Sequence, residues 1–343
     1  MATVIAVIGD RFIRTKLLRA AVENELATVG DVDWLTDEHV WPDTPMRHDD
    51  EVSEYTGDPS QVAEQVATAD VAVVHMAAMH RRVLESAARL RCVACARAGA
   101  TNVNLAAALE RDVVVTNAPG RNARAVAEFT VGALIAHSRG ITAGHRDLAE
   151  HGRWRPDLYH YEGVGRTLAN LTVGIVGFGH VGTLVAQLLK PFGCRLLASD
   201  PWADVTAIAG HGAEAMALDQ LLQRADVVTV HARLPSGSPP LIGAAEIALM
   251  QRGATLIQTA RPSSLDYDAL CDALAEGRLA GAVVDVYPEE PLPADSRLRT
   301  LPNVTLTPHI AGAARESAEE GAIIAARCVG QFPRGESIDY PMS

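Results

Sequence analysis

The chain contains no apolar run long enough to cross a bilayer, no surplus of basic residues and no tandem repeat at the periods of solenoid proteins. Its net charge over 343 residues is −12. Nucleic acid and anionic membranes select basic surfaces, so neither is expected as the main partner. A small anionic ligand stays open, because local charges can hold one. The opening "MATVIAVIGDRF" has a short apolar run but no basic flank and no small-residue cleavage site, so it reads as a buried first strand and not a signal peptide. Cysteine is scarce. Five scattered thiols, an odd number, do not make a disulfide framework and fit a reducing cytoplasm. Cys92 and Cys95 form "CVAC", a spacing that could suggest a redox or metal pair. They fall in an apparent strand, where positions three apart face opposite sides, so they are expected to be core residues. His137, His145, His151 and His160 have no metal-ligand spacing in a suitable context, and no metal is expected.

What is present points to a large α/β protein. Apolar residues make up 48% of the chain, and its length exceeds one ordinary domain, so two are expected. Short apolar runs alternate with helical patterns, as in parallel α/β architecture. In the first third, strands are expected at "TVIAVIG", "DVAVVH", "RCVACA" and "DVVVTN". Pro119 and Gly120 mark a break, and a long helix is expected from about Ala123. Residues 144–168 are polar and aromatic and read as a surface excursion. A second series follows at "TVGIVG", "RLLASD", "DVVTVH", "ATLIQTA", "AGAVVDV" and "NVTLTP", and "GAARESAEEGAIIAARCVGQF" supplies the last helix. Strands buried on both faces read as continuous apolar runs, as these do.

The stretch "VGIVGFGHVG" places Gly177, Gly179 and Gly182 in the spacing G-x-G-x-x-G. Alone, that spacing is weak evidence. Here a strand precedes it, an apolar-periodic helix follows, and the next strand ends at Asp200, which is the context a dinucleotide loop requires. Gly177 permits the tight turn, Gly179 lets the backbone approach a pyrophosphate, and Gly182 lets helix and strand pack closely. The helix N-terminus offers free N–H groups and partial positive charge to the diphosphate. Asp200 stands where a carboxylate accepts hydrogen bonds from the adenosine ribose and repels a 2′-phosphate, so NAD is expected over NADP.

Further segments follow in a fixed order: "ARAGATNVN", "VVVTNAPGRNARAVAEF", "QTARPSSLDYDAL" with Arg261, "GAVVDVYPEEPLP" with Asp285 and Glu290, and "NVTLTPHIAG" with His309. Oxidation of a 2-hydroxy acid needs a cation for the carboxylate, a base for the hydroxyl proton and a hydride acceptor. Arg261 can grip a carboxylate through a bidentate fork, and His309 is the natural acid/base at neutral pH. Together with the glycine loop, the segments resemble the NAD-dependent D-2-hydroxyacid dehydrogenase family. The branch is like that of phosphoglycerate dehydrogenase and glyoxylate/hydroxypyruvate reductase, in a short form without a C-terminal regulatory domain.

The resemblance implies two Rossmann-like, doubly wound α/β domains. Residues 1–117 and 310–343 would form a split, flavodoxin-like substrate domain. Residues 118–309 would form an inserted NAD-binding domain, with the active site in the cleft between. It implies that Glu290 hydrogen-bonds His309, and a nearby carboxylate stabilises imidazolium. Asp285 would lie near the nicotinamide carboxamide. His180, Val181 and Ala260 would join the three glycines and Asp200 around the cofactor. Backbone N–H groups near Ala98 and Gly99 would hold the substrate carboxylate with Arg261. A homodimer through residues 139–162 is also implied.

The sequence departs from the family in places. Pro262 follows Arg261 where glycine is usual. It removes an N–H and pushes Arg261 toward extended angles. Asp266 is expected to cap a helix over 267–276 that stops at Gly277. Asn104 stands in "NVN" where "NVD" is usual. The loop "VVHMAAMHRRV" lacks the arginine-serine-arginine run with which phosphoglycerate dehydrogenases are expected to meet phosphate, leaving Arg81, Arg82 or Arg97 as substitutes. D-3-phosphoglycerate dehydrogenase proper is therefore the alternative to an enzyme for an unphosphorylated 2-hydroxy acid. Glu290 argues against formate oxidation, in which the histidine is expected to pair with glutamine; phosphite oxidation keeps the glutamate. In a different class, an NAD(H)-sensing corepressor would share fold and triad, but no basic patch or disordered tail is visible.

Overall fold

The computed structural model describes residues 2–27, 31–42, 46–161, 163–235, 237–334 and 336–342. The chain divides into two compact units, Met1–Asn122 with Ala313–Ser343, and Ala123–Gly312.

In the first unit the strands are β1 (Thr3–Gly9), β2 (Val32–Glu38), β3 (Arg47–His48), β4 (Ser53–Tyr55), β5 (Val71–Val74), β6 (Cys92–Cys95) and β7 (Val114–Thr116). Five of them form a parallel sheet in the order β2-β1-β5-β6-β7, while β3 and β4 pair antiparallel. The two-residue period of a strand divides the side chains between faces. Ile5, Val7, Val71, Val73, Cys92 and Ala94 pack with helices Thr15–Glu25 and Arg315–Arg334. Ala6, Ile8, Ala72, Val74, Val93 and Cys95 pack on the other face. Cys92 and Cys95 thus enter different cores, as buried free thiols whose pKa values burial pushes up to about 12. They are unreactive core residues, not a redox pair.

The second unit holds β8 (Thr172–Val176), β9 (Arg195–Ser199), β10 (Ala213–Ala215), β11 (Val227–Val230), β12 (Thr255–Gln258), β13 (Gly281–Val284) and β14 (Val304–Leu306). All seven are parallel, in the order β10-β9-β8-β11-β12-β13-β14. The order reverses between β8 and β11, the position where open α/β sheets bind ligands. Val173, Ile175, Leu196, Ala198, Ile257 and Val283 meet helices Ala123–Ser138 and His180–Leu189. Val176, Leu197, Val228, Leu256 and Val284 meet helices Leu218–Arg224, Ala244–Leu249 and Tyr267–Ala275. The last of these is capped by Asp266, whose side chain accepts from Ala269 N at 3.0 Å, and ends before Gly277 at φ +66°.

Three elements carry no apolar run in the sequence. β2, "VDWLTDE", is a half-buried edge strand, β10 is the opposite edge of the other sheet, and β3–β4 is a short hairpin. Residues 144–168 overlap a helix, Ile141–His151, closed by Gly152 at φ +58°, and contain a 3₁₀ turn, Pro156–Tyr159. Trp154, Tyr159 and Tyr161 are 77%, 92% and 90% exposed.

Leu18 is fully buried against the face shared with helix Arg315–Arg334. Leu18→Ala should cost about 2–5 kcal/mol in urea unfolding, the usual range for a buried leucine. A loss below about 1 kcal/mol would mean that this helix does not close the core.

Candidate active site

Register builds the site. Ser199, Val176, Val230, Gln258, Val284 and Leu306 stand level across neighbouring strands of the second sheet. The residues that follow them therefore emerge along one edge. Gly177, Gly179 and Gly182 follow β8, Asp200 follows β9, Ala260 and Arg261 follow β12, Asp285 and Glu290 follow β13, and His309 follows β14.

The glycine loop has three different reasons for its three glycines. Gly177 has φ +90°, and a Cβ there would lie 2.5 Å from Ala232 N. At Gly182 a Cβ would lie 2.1 Å from the Gly177 carbonyl oxygen. At Gly179 a Cβ would meet open space, so packing within the protein does not demand glycine there, and the backbone is open to close approach from outside. Helix His180–Leu189 begins immediately after, with Gly179 as N-cap. His180 is exposed and Val181 half-buried. The first-turn N–H groups lack intrahelical acceptors, as at any helix start. Asp200 accepts from Phe178 N at 2.7 Å and Trp202 N at 2.9 Å, which fixes its carboxylate beside the loop. This donor set fits a dinucleotide: free N–H groups for a diphosphate, an open glycine, and a carboxylate for ribose hydroxyls.

Arg261 leaves β12 in extended backbone, φ −126° and ψ 143°, as the following proline requires. Pro262–Ser264 then form a single 3₁₀ turn. Buried Gln258 ties this turn down: its Nε2 donates to the Arg261 carbonyl (3.0 Å) and to Ser264 Oγ (2.9 Å), and Ser264 Oγ donates to the same carbonyl (2.7 Å). The guanidinium contacts only the carbonyl of Ala260, at 3.2 Å, among the described residues. Its surface is open to solvent, yet the protein crowded around it presses its pKa below the usual arginine value, against the pull of Glu290's charge.

Asp285 is fully buried. Its Oδ1 accepts from Thr307 Oγ1 (2.6 Å) and Ile310 N (2.9 Å), and its Oδ2 from Ala311 N (2.8 Å). These bonds bracket His309, whose φ of +53° is unusual for a residue other than glycine. Tyr287 completes the bracket. Its hydroxyl lies 2.9 Å from the Val284 carbonyl and 2.8 Å from that of Thr307, and burial pushes its pKa up to about 12. His309 Nδ1 lies 2.9 Å from Glu290 Oε2, and Glu290 Oε1 accepts from Tyr287 N at 3.1 Å. An ionised carboxylate only accepts, so Nδ1 carries the proton of this bond and Nε2 is left for a ligand. Burial raises the Glu290 pKa, but the bond and charge of His309, the Tyr287 N–H and the charge of Arg261 outweigh it and hold the group below the ordinary 4.5. Glu290 is therefore a fixed negative charge behind the imidazole.

Ala98 and Gly99 belong to the other unit. They follow β6, and neither backbone N–H has an acceptor among the described residues. The Ala98 carbonyl accepts from Asn117 Nδ2 at 2.9 Å. Arg97 is buried and paired with Glu54. Arg81 pairs with Glu110. Asn104 caps helix Leu105–Glu110 by accepting from Ala107 N at 2.9 Å. Among the described residues there is no cluster of metal-ligating side chains.

Residues 131–311 match the family described as D-isomer specific 2-hydroxyacid dehydrogenase, NAD binding domain. The chain belongs to this family. It is 34% identical over 278 residues to D-3-phosphoglycerate dehydrogenase of Methanocaldococcus jannaschii, covering 80% of this chain and 52% of that one. It is 35% identical over 254 residues to glyoxylate reductase of Korarchaeum cryptofilum, covering 74% and 76%. The chain thus spans about half the length of the phosphoglycerate dehydrogenase. Among solved structures, TT0316 protein from Thermus thermophilus is 28% identical with a TM-score of 0.78, covering 98% of this chain and 100% of that one. The two Rossmann-like α/β units are those of the 2-hydroxyacid dehydrogenases.

Within this family member, sequence reasoning missed Gln258, Ser264, Tyr287 and Thr307, which hydrogen-bond to the backbone or side chains of the segments that carry the candidate residues Arg261, Asp285, Glu290 and His309. The place of Gln258 directly after Leu256 and Ile257 in the strand "TLIQ" was the available signal for one of them. The depressed Glu290 pKa has a consequence for folding. Its stabilising contribution is present above the unfolded value near 4.5 and is lost as pH falls through the lower folded value. The stability difference between wild type and Glu290→Gln, from urea unfolding, should therefore be largest at neutral pH and shrink below pH 4.5. A difference independent of pH would show that Glu290 is not held as an ion.

Proposed function

We propose that the chain is an NAD-dependent oxidoreductase interconverting a D-2-hydroxy acid and a 2-keto acid. The observation that carries this reading is the 2.9 Å contact between His309 and Glu290 on the sheet edge that also bears Arg261 and the glycine loop. The unit Ala123–Gly312 holds the nucleotide, and the backbone N–H groups of Ala98 and Gly99, which have no acceptor among the described residues, are candidate donors to the substrate carboxylate.

NAD, when bound, would supply the hydride chemistry at the substrate's C2. The chain does the rest. Gly177, Gly179, Gly182, His180 and Val181 form the diphosphate cradle, and Ala260 and Asp285 line the nicotinamide end. Asp285 Oδ2 has one donor within the protein, which leaves capacity for the carboxamide. Arg261 grips the substrate carboxylate through two N–H groups. His309 Nε2 gives a proton to the carbonyl oxygen in reduction and takes it from the hydroxyl in oxidation. Glu290 keeps the ring oriented and balances the imidazolium.

Free cysteines and the absence, among the described residues, of a helix long and apolar enough to span a membrane support a cytoplasmic place. Exposed Trp154, Tyr159 and Tyr161 support a homodimer through residues 139–162, of which residue 162 lies outside the described residues. The net charge of −12 weighs against nucleic acid as a partner. The commitment of Arg81 and Arg97 to Glu110 and Glu54 weighs against 3-phosphoglycerate recognised through that part of the chain.

NADH oxidation with a panel of 2-keto acids tests the reading. Turnover on at least one is expected, and His309→Ala should lower kcat by about two to four orders of magnitude while leaving the NADH Kd within about twofold. Near-normal turnover would remove His309 from its role. For coenzyme choice, Asp200→Ala should raise the NADPH-to-NADH ratio of kcat/KM. An unaltered ratio would mean that Asp200 does not meet the ribose.

A further inference from the structure

Arg233 occupies a place in the second sheet equivalent to that of Arg261. Val230 of β11 stands level with Gln258 of β12, and the two arginines follow by the same three residues. Adjacent strands run about 4.8 Å apart, so the two arginines leave one edge from neighbouring strands, near enough for the charge of Arg261 to act on Arg233. Val230 also stands level with Val176 of β8, from which Gly179 follows at the same offset. Arg233 therefore sits between the glycine loop and Arg261, on the strand next to the reversal of order. Neither arginine forms an ion pair among the described residues. Crowding by protein presses the Arg233 pKa below the usual arginine value, and the charge of Arg261 presses it further the same way.

Two like charges kept together without a protein counterion call for an anionic ligand. Glu290, whose charge acts on Arg261, is engaged by His309, and that pair is self-compensating when the imidazole carries the proton it donates. A monocarboxylate would neutralise Arg261 and leave Arg233 uncompensated. The cofactor diphosphate already has its donors in the glycine loop and helix start, one strand away. On the reading of the site given above, we propose that Arg233 binds a second anionic group of the substrate, so that the preferred class is a 2-keto acid with a carboxylate or phosphate beyond the one gripped by Arg261.

Calorimetry on protein loaded with NAD⁺ tests this without turnover, because a ketone and the oxidised cofactor cannot exchange hydride. The titrants are pyruvate, 2-oxoglutarate and 3-phosphohydroxypyruvate, against wild type, Arg233→Gln and Arg233→Lys. At least one dianion should bind wild type more tightly than pyruvate. Arg233→Gln should erase about ten- to a hundredfold of that preference, the usual worth of a charge-assisted hydrogen bond, and Arg233→Lys should restore part of it. Whether the carboxylate or the phosphate responds identifies the group. The proposal is overturned if wild type shows no preference, if the preference survives Arg233→Gln, or if that variant instead weakens NAD⁺ itself tenfold with the preference intact. An Arg233-dependent preference for a dianion that NADH then fails to reduce would refute the dehydrogenase reading and leave the anion site standing. Reduction with an Arg233-independent preference would do the opposite.

Discussion

A buried carboxylate with three hydrogen-bond donors, all from the segment Thr307–Ala311, is the constraint on which the reactive geometry rests. A buried carboxyl group needs such partners, and the donors would not converge without it. In meeting that requirement the chain forces His309 into left-handed backbone and brings its Nδ1 to Glu290. The imidazole can remain partly exposed while its orientation is fixed from below. Gln258 does the same for Arg261, whose carbonyl it holds while the guanidinium forms no ion pair among the described residues. The side chains of Arg261 and His309 are open to solvent, and Gln258 and Asp285, which fix their backbone, are buried.

Parallel register converts this local fastening into a site. Because neighbouring strands end level, residues separated by tens of positions emerge on one line. The line runs from anion-seeking backbone at the glycine loop, through two arginines, to an imidazole backed by an acid. A dinucleotide laid across the reversal of strand order would meet these groups in that sequence, which is why one edge of one sheet can serve cofactor and substrate together.

How much of this could be read beforehand follows from burial. β1, β5, β6, β8, β11, β12 and β13 have apolar side chains on both faces, and their runs announce them. β2, β10 and the β3–β4 hairpin lie at edges or outside the sheets, where one side meets water and polar residues are tolerated. Gly177, Gly182 and Asp266 were legible because backbone angle, close packing and helix capping each demand a residue type. Arg261, Glu290 and His309 were singled out through their order, and they follow neighbouring strands at one edge of the second sheet. Tyr287, Thr307 and Gln258 were not: each works through a carbonyl or carboxylate that no spacing rule marks. Arg233 was missed because its meaning depends on being level with Arg261, a fact of strand register and not of sequence distance.

The central claim is that these side chains hold a 2-keto acid for direct, one-sided hydride transfer. Reduction of a turned-over 2-keto acid with NADH carrying deuterium on the transferred position of C4, followed by mass and chiral analysis of the product, tests it most directly. One deuterium on C2 of the D-2-hydroxy acid is the predicted result. Protium at C2, or a product of L or mixed configuration, would contradict it.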